Sequence, residues 1–301
     1  MNMKDRLSLF KIRFRKLINY IYCLVASKGN YIVLNSWIQQ YKNGVVKRNY
    51  GDELSYYLIK ELTGKHVVNY YDIPHLGKRE NILFIGSLVE HFVTPNTVIW
   101  GSGALLGGSE PLKSFPKKVL AVRGKFTRDY LLNNGVDCPE VYGDPALLLP
   151  YVYKPNVNKK FKIGIIPHHS DIESDLISRI ANQASGEVRI INFVDYHDWK
   201  TVIDEICECE YIISSSLHGL IIADAYNIPN LWIKLSDKLL GGEFKFLDYF
   251  SGVNRSTKQP FVITQDTTVD EILNDLLEYS PIVFDYGQFI AVAPIPLKLN
   301  I

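Results

Sequence analysis

Short apolar runs recur along this chain, and most end in glycine, serine or histidine and lead into a helical pattern. They include Ile82-Leu83-Phe84-Ile85 before Gly86-Ser87, Val98-Ile99-Trp100 before Gly101-Ser102-Gly103, and Val119-Leu120-Ala121-Val122 before Arg123-Gly124. Val141-Tyr142 runs into Gly143-Asp144-Pro145, Ile163-Gly164-Ile165-Ile166 into Pro167-His168-His169, and Tyr211-Ile212-Ile213 into Ser214-Ser215-Ser216. Continuous apolar runs of this length mark strands buried on both faces, as in parallel sheets. Between them the period changes to that of helices. Leu54, Tyr57, Leu58 and Leu62 share a face that Gly64 ends, with Asp52 an N-cap residue type at its start. Further helices are predicted through Tyr130, Leu131 and Leu132, through Val202, Ile203 and Ile206, from Leu220 to a stop at Pro229, and over Thr268–Glu278.

Val188-Arg189-Ile190-Ile191-Asn192-Phe193 adds one more strand, and the polar stretch Lys154–Lys160 divides the series. The pattern predicts an α/β chain with two doubly wound, Rossmann-like domains facing a cleft, over 29–153 and 161–280. A basic segment, 1–28, precedes them, and an apolar segment, 281–301, with Pro294 and Pro296, is expected to pack back on the first domain. At 301 residues, the length suits two domains of roughly 100–200 residues each.

Charge narrows the partners. Lys and Arg number 33 against 32 Asp and Glu, a balance that gives no footprint for nucleic acid. Residues 1–16 depart from it: Lys4, Arg6, Lys11, Arg13, Arg15 and Lys16 face Asp5 alone and alternate with Leu7, Leu9, Phe10, Ile12 and Phe14. The apolar run that follows is shorter than the ~18 residues a membrane span needs. Two readings stand: an amphipathic segment on the anionic inner face of the plasma membrane, making the protein cytoplasmic and peripheral, or a helix packed on the domain. Cys23, Cys138, Cys207 and Cys209 lack zinc spacing, and Cys207-x-Cys209 falls in a helical pattern, so free thiols in a reducing compartment fit best.

The candidate chemistry lies where strands give way to helices, since ligands of open α/β sheets bind outside the carboxyl ends of the strands. Ser214, Ser215 and Ser216, with the free N–H groups of the next helix, suit an anion. His218 stands at the same mouth and is able to exchange a proton near neutral pH. Arg123 follows a strand and precedes a glycine, a place to hold phosphate or carboxylate. Gly51 allows close approach to the backbone beside Asp52. His168 and His169 are adjacent, and an extended strand end cannot aim both rings one way, so a two-histidine metal site is not expected.

In order along the chain stand Asn49-x-Gly51-Asp52, Val122-Arg123, Gly143-Asp144-Pro145-Ala146, Ile166-Pro167-His168, Ser214-x-x-Leu217-His218-Gly219 and Lys245-Phe246-x-Asp248-Tyr249. In this order and spacing the chain resembles the polysaccharide pyruvyltransferases from about Asn49 to Tyr249. The resemblance implies a GT-B-like fold. It also implies transfer of a pyruvyl group from phosphoenolpyruvate to two hydroxyls of one sugar, in a polysaccharide or its lipid-linked precursor, giving a ketal. Phosphoenolpyruvate is then a co-substrate, and no cofactor or metal is called for. Many relatives carry an arginine where Ser216 stands, so Lys245 or Arg123 covers the charge or the donor is held differently. His218 is expected as the general acid toward the donor's methylene carbon, with His168 its rival, and Asp52 as acceptor of the hydroxyl proton. Ser214, Ser215, Ser216, Gly51, Arg123 and Lys245 would hold the donor, and His168 and Asn49 donor or acceptor. Two alternatives share the architecture: a GT-B glycosyltransferase using a nucleotide sugar, and a non-catalytic sugar- or anion-binding protein of an assembly complex.

Overall fold

The computed structural model describes residues 3–42, 44–46, 49–74, 79–107, 110–184, 186–238 and 241–299. The first two residues of the basic segment and the last two of the C-terminal segment therefore lie outside the described residues.

A long helix, α1 (Met3–Ser27), leads into the first sheet. The chain then forms β1 (Tyr31–Leu34), a small antiparallel hairpin of β2 (Gln40–Tyr41) and β3 (Gly44–Val45), α2 (Tyr50–Thr63) and β4 (His66–Asn69). β5 (Asn81–Leu83), α3 (Val89–Phe92), β6 (Thr97–Trp100), β7 (Lys118–Ala121) and α4 (Lys125–Asn133) complete this half. The sheet runs β4-β1-β5-β6-β7, with every pair parallel.

A 3₁₀ helix (Pro145–Tyr151) and the irregular residues 152–160 lead to β8 (Phe161–Ile166). Then come α5 (Asp175–Gln183), β9 (Val188–Ile190), α6 (Trp199–Cys207), β10 (Cys209–Ser214), α7 (Leu217–Ala225) and β11 (Asn230–Lys234). α8 (Phe244–Gly252), β12 (Phe261–Val262), α9 (Val269–Leu277) and α10 (Tyr286–Ala291) follow. The second sheet, also parallel throughout, runs β9-β8-β10-β11-β12. Counted within its own half, each sheet has the order 2-1-3-4-5. Each therefore has a switch point beside its first strand, between β1 and β5 and between β8 and β10, where crossovers leave in opposite directions and a crevice opens.

The halves share a core on one side of that crevice. One apolar cluster runs from Leu34, Tyr50 and Leu54 through Leu148 and Ile166 to Leu220, Trp232 and Phe250. The residues after α9 lie along the first half. Trp100 Nε1 donates to the Phe289 carbonyl at 3.2 Å, their rings stack at 5.4 Å, and Lys298 N reaches the Leu62 carbonyl.

Three local expectations change. Asn49, not Asp52, caps α2: its side chain accepts from Gly51 N at 3.1 Å, and the helix is under way by Asp52. Cys209 opens β10 instead of continuing a helix, because α6 stops at Cys207. His168 and His169 lie in a turn, with Asp171 N on the His168 carbonyl at 2.8 Å, so extended alternation does not govern their rings.

Candidate active site

The crevices at the two switch points merge into one pocket of about 520 Å³. The first half gives it Trp37, Asn49, Asp52, Ser87, Leu88, His91, Phe92 and Leu105. From the second half come Pro167, His168, His169, Phe193, Val194, Ser216, Leu217, His218 and Lys245.

β10 ends at Ser214, and α7 starts three residues later. The serines between them do not act together. Ser214 is fully buried, and its hydroxyl lies 2.8 Å from both the Ile166 and the Ser216 carbonyls and accepts from Ser216 N at 3.0 Å. Ser215 is also buried and accepts from His168 N at 2.9 Å, which ties the ends of β8 and β10 together. It lines a neighbouring cavity of about 340 Å³ with Asp171 and Lys234. Only Ser216, the N-cap of α7, faces the main pocket, and its side chain makes no capping bond. The expectation of three converging hydroxyls is thus corrected to one, because the other two bind backbone. The first N–H groups of α7 lack helical partners, and the positive end of its dipole lies at the pocket.

His218 is the second residue of α7 and reaches across to the first half. A Cβ at position 51 would overlap its imidazole, so glycine there admits the ring and not a ligand. Among the described residues His218 Nε2 is buried with no hydrogen-bond partner. Burial, then the charges of Lys245 and Arg123, push this histidine down to about 3. It is therefore neutral near pH 7, not poised there as expected. His168 is pushed down to about 3 by burial, Lys245 and His169, and its Nδ1 lies 2.8 Å from the Ser170 hydroxyl.

Asp52 enters from the first turn of α2. Burial raises its carboxyl to about 7, against the pull of Lys245 and with a push from Glu53. Lys245, near the start of α8, is lowered to about 8 by burial and by Arg123, while Asp52 raises it. The two groups therefore sense each other's charge across the pocket. Asn49 lines the wall beside Asp52 and keeps its oxygen on Gly51 N.

Arg123 does not reach the pocket. It is 1% exposed, and each guanidinium nitrogen is engaged: Nε with Asp248 at 2.8 Å, Nη1 with Ser87 at 2.6 Å and Nη2 with the Ala104 carbonyl at 2.6 Å. Asp248 also accepts from Thr127 N at 2.8 Å and Thr127 Oγ1 at 2.7 Å. A Cβ at Gly124 would collide with the Asp248 backbone, so glycine beside Arg123 serves the packing of α4 on α8. The donor-binding reading of Arg123 is corrected on this ground: its fork is already filled. It acts on the site through Ser87, which lines the pocket, and through its charge.

Sequence reasoning missed the apolar wall. Trp37 packs edge-on against Phe92 at 5.6 Å, and Leu88, Leu105, Phe193 and Val194 continue the surface. An exposed tryptophan three residues after a strand was its one visible signal. The wall suits the apolar face of a sugar ring, and the polar end suits an anion.

Residues 49–237 match the family model described as polysaccharide pyruvyl transferase. Over 243 residues the chain is 29% identical to the uncharacterized protein L143 of Acanthamoeba polyphaga mimivirus, covering 79% of this chain and 82% of that protein. It is 27% identical over 209 residues to the succinoglycan biosynthesis protein ExoV of Rhizobium meliloti (strain 1021), covering 67% of this chain and 60% of that one. A solved structure, the functionally uncharacterized KP1_0663 of Klebsiella pneumoniae, is 14% identical with a TM-score of 0.45, covering 82% of this chain and 98% of that one.

Proposed function

Because the chain belongs to the polysaccharide pyruvyl transferase family, we propose that it moves the pyruvyl group of phosphoenolpyruvate onto two hydroxyls of one sugar, in a polysaccharide or its lipid-linked precursor. The observation that carries this reading is the convergence of Asp52, His218 and Lys245 from the two halves onto one pocket. The meeting of two like-ordered sheets at that pocket supports the GT-B-like arrangement that the resemblance implies.

Lys245, Ser216 and the start of α7 hold the donor's phosphate and carboxylate, and Lys245 supplies the charge of the arginine that many relatives carry at the Ser216 position. The raised carboxyl of Asp52 and the neutral imidazole of His218 support proton roles opposite to the first expectation. Asp52, raised to about 7, carries a proton into the reaction, and His218, neutral before the donor binds, accepts one once the donor's negative charge offsets the cations that hold it down. Asp52 gives its proton to the donor's methylene carbon, which becomes a methyl group. The central carbon gains cationic character, and a sugar hydroxyl adds to it while His218 takes the hydroxyl proton. The carbon–oxygen bond to phosphate then breaks, and the second hydroxyl closes the ketal. One hydroxyl proton balances the proton given to carbon, and the other leaves with phosphate. The apolar wall holds the sugar, with His168 and Asn49 at its polar edge.

The test is incubation with phosphoenolpyruvate and lipid-linked saccharide repeats, followed by mass spectrometry and phosphate assay. The expected result is a pyruvate-ketal mass gain on the sugar with matching phosphate release. A melting temperature raised by nucleotide sugars but not by phosphoenolpyruvate would overturn the reading.

A further inference from the structure

The outward face of α1 is apolar from Phe10 to Val25. Phe10, Phe14, Leu17, Ile21 and Val25 follow one helical stripe, and all are exposed, from 44% at Leu17 to 75% at Val25. Phe10 and Phe14 stack on each other at 6.2 Å. The opposite face docks on the first half through buried Asn19, Cys23 and Ser27, and Arg15 pairs with Asp72 at 3.2 Å. The stripe is roughly 22 Å long at about 1.5 Å per residue, more contiguous apolar surface than a protein surface ordinarily leaves uncovered.

Charge says what covers it. At about 100° per residue, exposed Lys11 and Arg13 fall on opposite flanks of the stripe. From Arg6 to Gly51 the sequence holds nine Lys or Arg and no Asp or Glu. A second copy laid on this face would bring cations against cations, whereas an anionic bilayer offers phosphates for the flanks and acyl chains for the stripe. We propose that α1 docks the chain on an anionic membrane surface, with the aromatic stripe in the acyl boundary and Lys11 and Arg13 among the headgroups. No helix among the described residues is long and apolar enough to cross a membrane, so the contact is peripheral. This inference is independent of the reaction catalysed.

The experiment is flotation of the full chain with vesicles of phosphatidylcholine alone or doped with phosphatidylglycerol, at low and high salt. The expected result is flotation only with the anionic vesicles, weakened by salt. Each cation near the surface contributes roughly fivefold in partition, so Lys11→Gln with Arg13→Gln should lower it roughly 30-fold. Phe10→Ser with Phe14→Ser should abolish flotation while leaving the melting temperature unchanged, since neither ring packs on the body. Wild-type flotation on neutral vesicles equal to that on anionic ones would overturn the proposal, as would flotation of either double variant at the wild-type level. A wild-type dimer that the Phe10/Phe14 change dissociates, with no vesicle binding, would assign the face to a second copy instead.

Discussion

The two sheets have the same strand order and meet at equivalent switch points, yet they load the pocket with different charged groups. The first half brings the carboxyl of Asp52 and the surface built from Trp37, Leu88, Phe92 and Leu105. The second brings Lys245, the imidazoles of His168, His169 and His218, and the start of α7. Topology fixes where a ligand can lie, and the residues at the strand ends decide what it is. In the proposed reaction the second half supplies the anion contacts and the proton acceptor and the first the proton donor, while the apolar wall draws on both.

The sharpest way to break the contrast is His218→Asn, which keeps the shape and removes the base. General acid–base catalysis contributes about 10²–10⁴-fold, so turnover should fall by that factor while donor affinity changes little. Near wild-type turnover in the folded variant would return the role to His168.

Arg123→Ala tests whether the cation behind the pocket belongs to donor binding or to the fold. It strands the Asp248 carboxylate in the interior, which costs about 3–5 kcal/mol. Urea denaturation should show that loss. Unchanged stability with a raised donor Michaelis constant would put Arg123 back among the donor ligands.

Lys245→Gln should weaken donor use by roughly 10–100-fold, the scale of a lost charged hydrogen bond, and leave acceptor dependence unchanged. An effect on the acceptor alone would reverse the assignment of the halves.

The last test concerns Asp52 and is read against pH. Its carboxyl is raised in the fold, to about 7, so between the ordinary carboxylate range and that value the folded state keeps a proton that the unfolded state releases. Its contribution to stability therefore falls as pH rises from about 4 to 7 and is level above. Asp52→Asn removes the penalty, so its stability gain over wild type should grow across that window and level off above about 7. Wild-type turnover should fall as pH rises through about 7, where Asp52 loses its proton. A gain independent of pH would mean that the carboxyl is not raised.

Much of this was legible in the chain. The rule that ligands lie past strand ends picked out His168, Ser216 and His218, and the family resemblance added Asp52; all four line the pocket. The same rule failed at Arg123 because its partner, Asp248, stands 125 positions away, and nothing local announces that a fork is occupied. It failed at Ser214 and Ser215 because a hydroxyl at a strand end binds backbone as readily as ligand. Gly51 was read as room for a ligand, since its neighbour across the pocket, the His218 ring, comes from another domain's worth of sequence. Trp37, Leu105 and Val194 carry no motif and meet only through the crossing of two sheets.

The pin between Arg123 and Asp248 has a mechanical consequence. α8 follows β11 in the chain, yet Asp248 is fastened to Arg123 and Thr127 of the first half. Lys245 lies less than one turn upstream on the same helix. The same helix is also held to the second sheet, where Trp232 of β11 stacks on Phe246 at 4.6 Å, so α8 ties the two halves together behind the pocket. Breaking the pin would free Lys245 from its register against both Asp52 and His218, so one buried ion pair sets the spacing of the charged groups in the pocket.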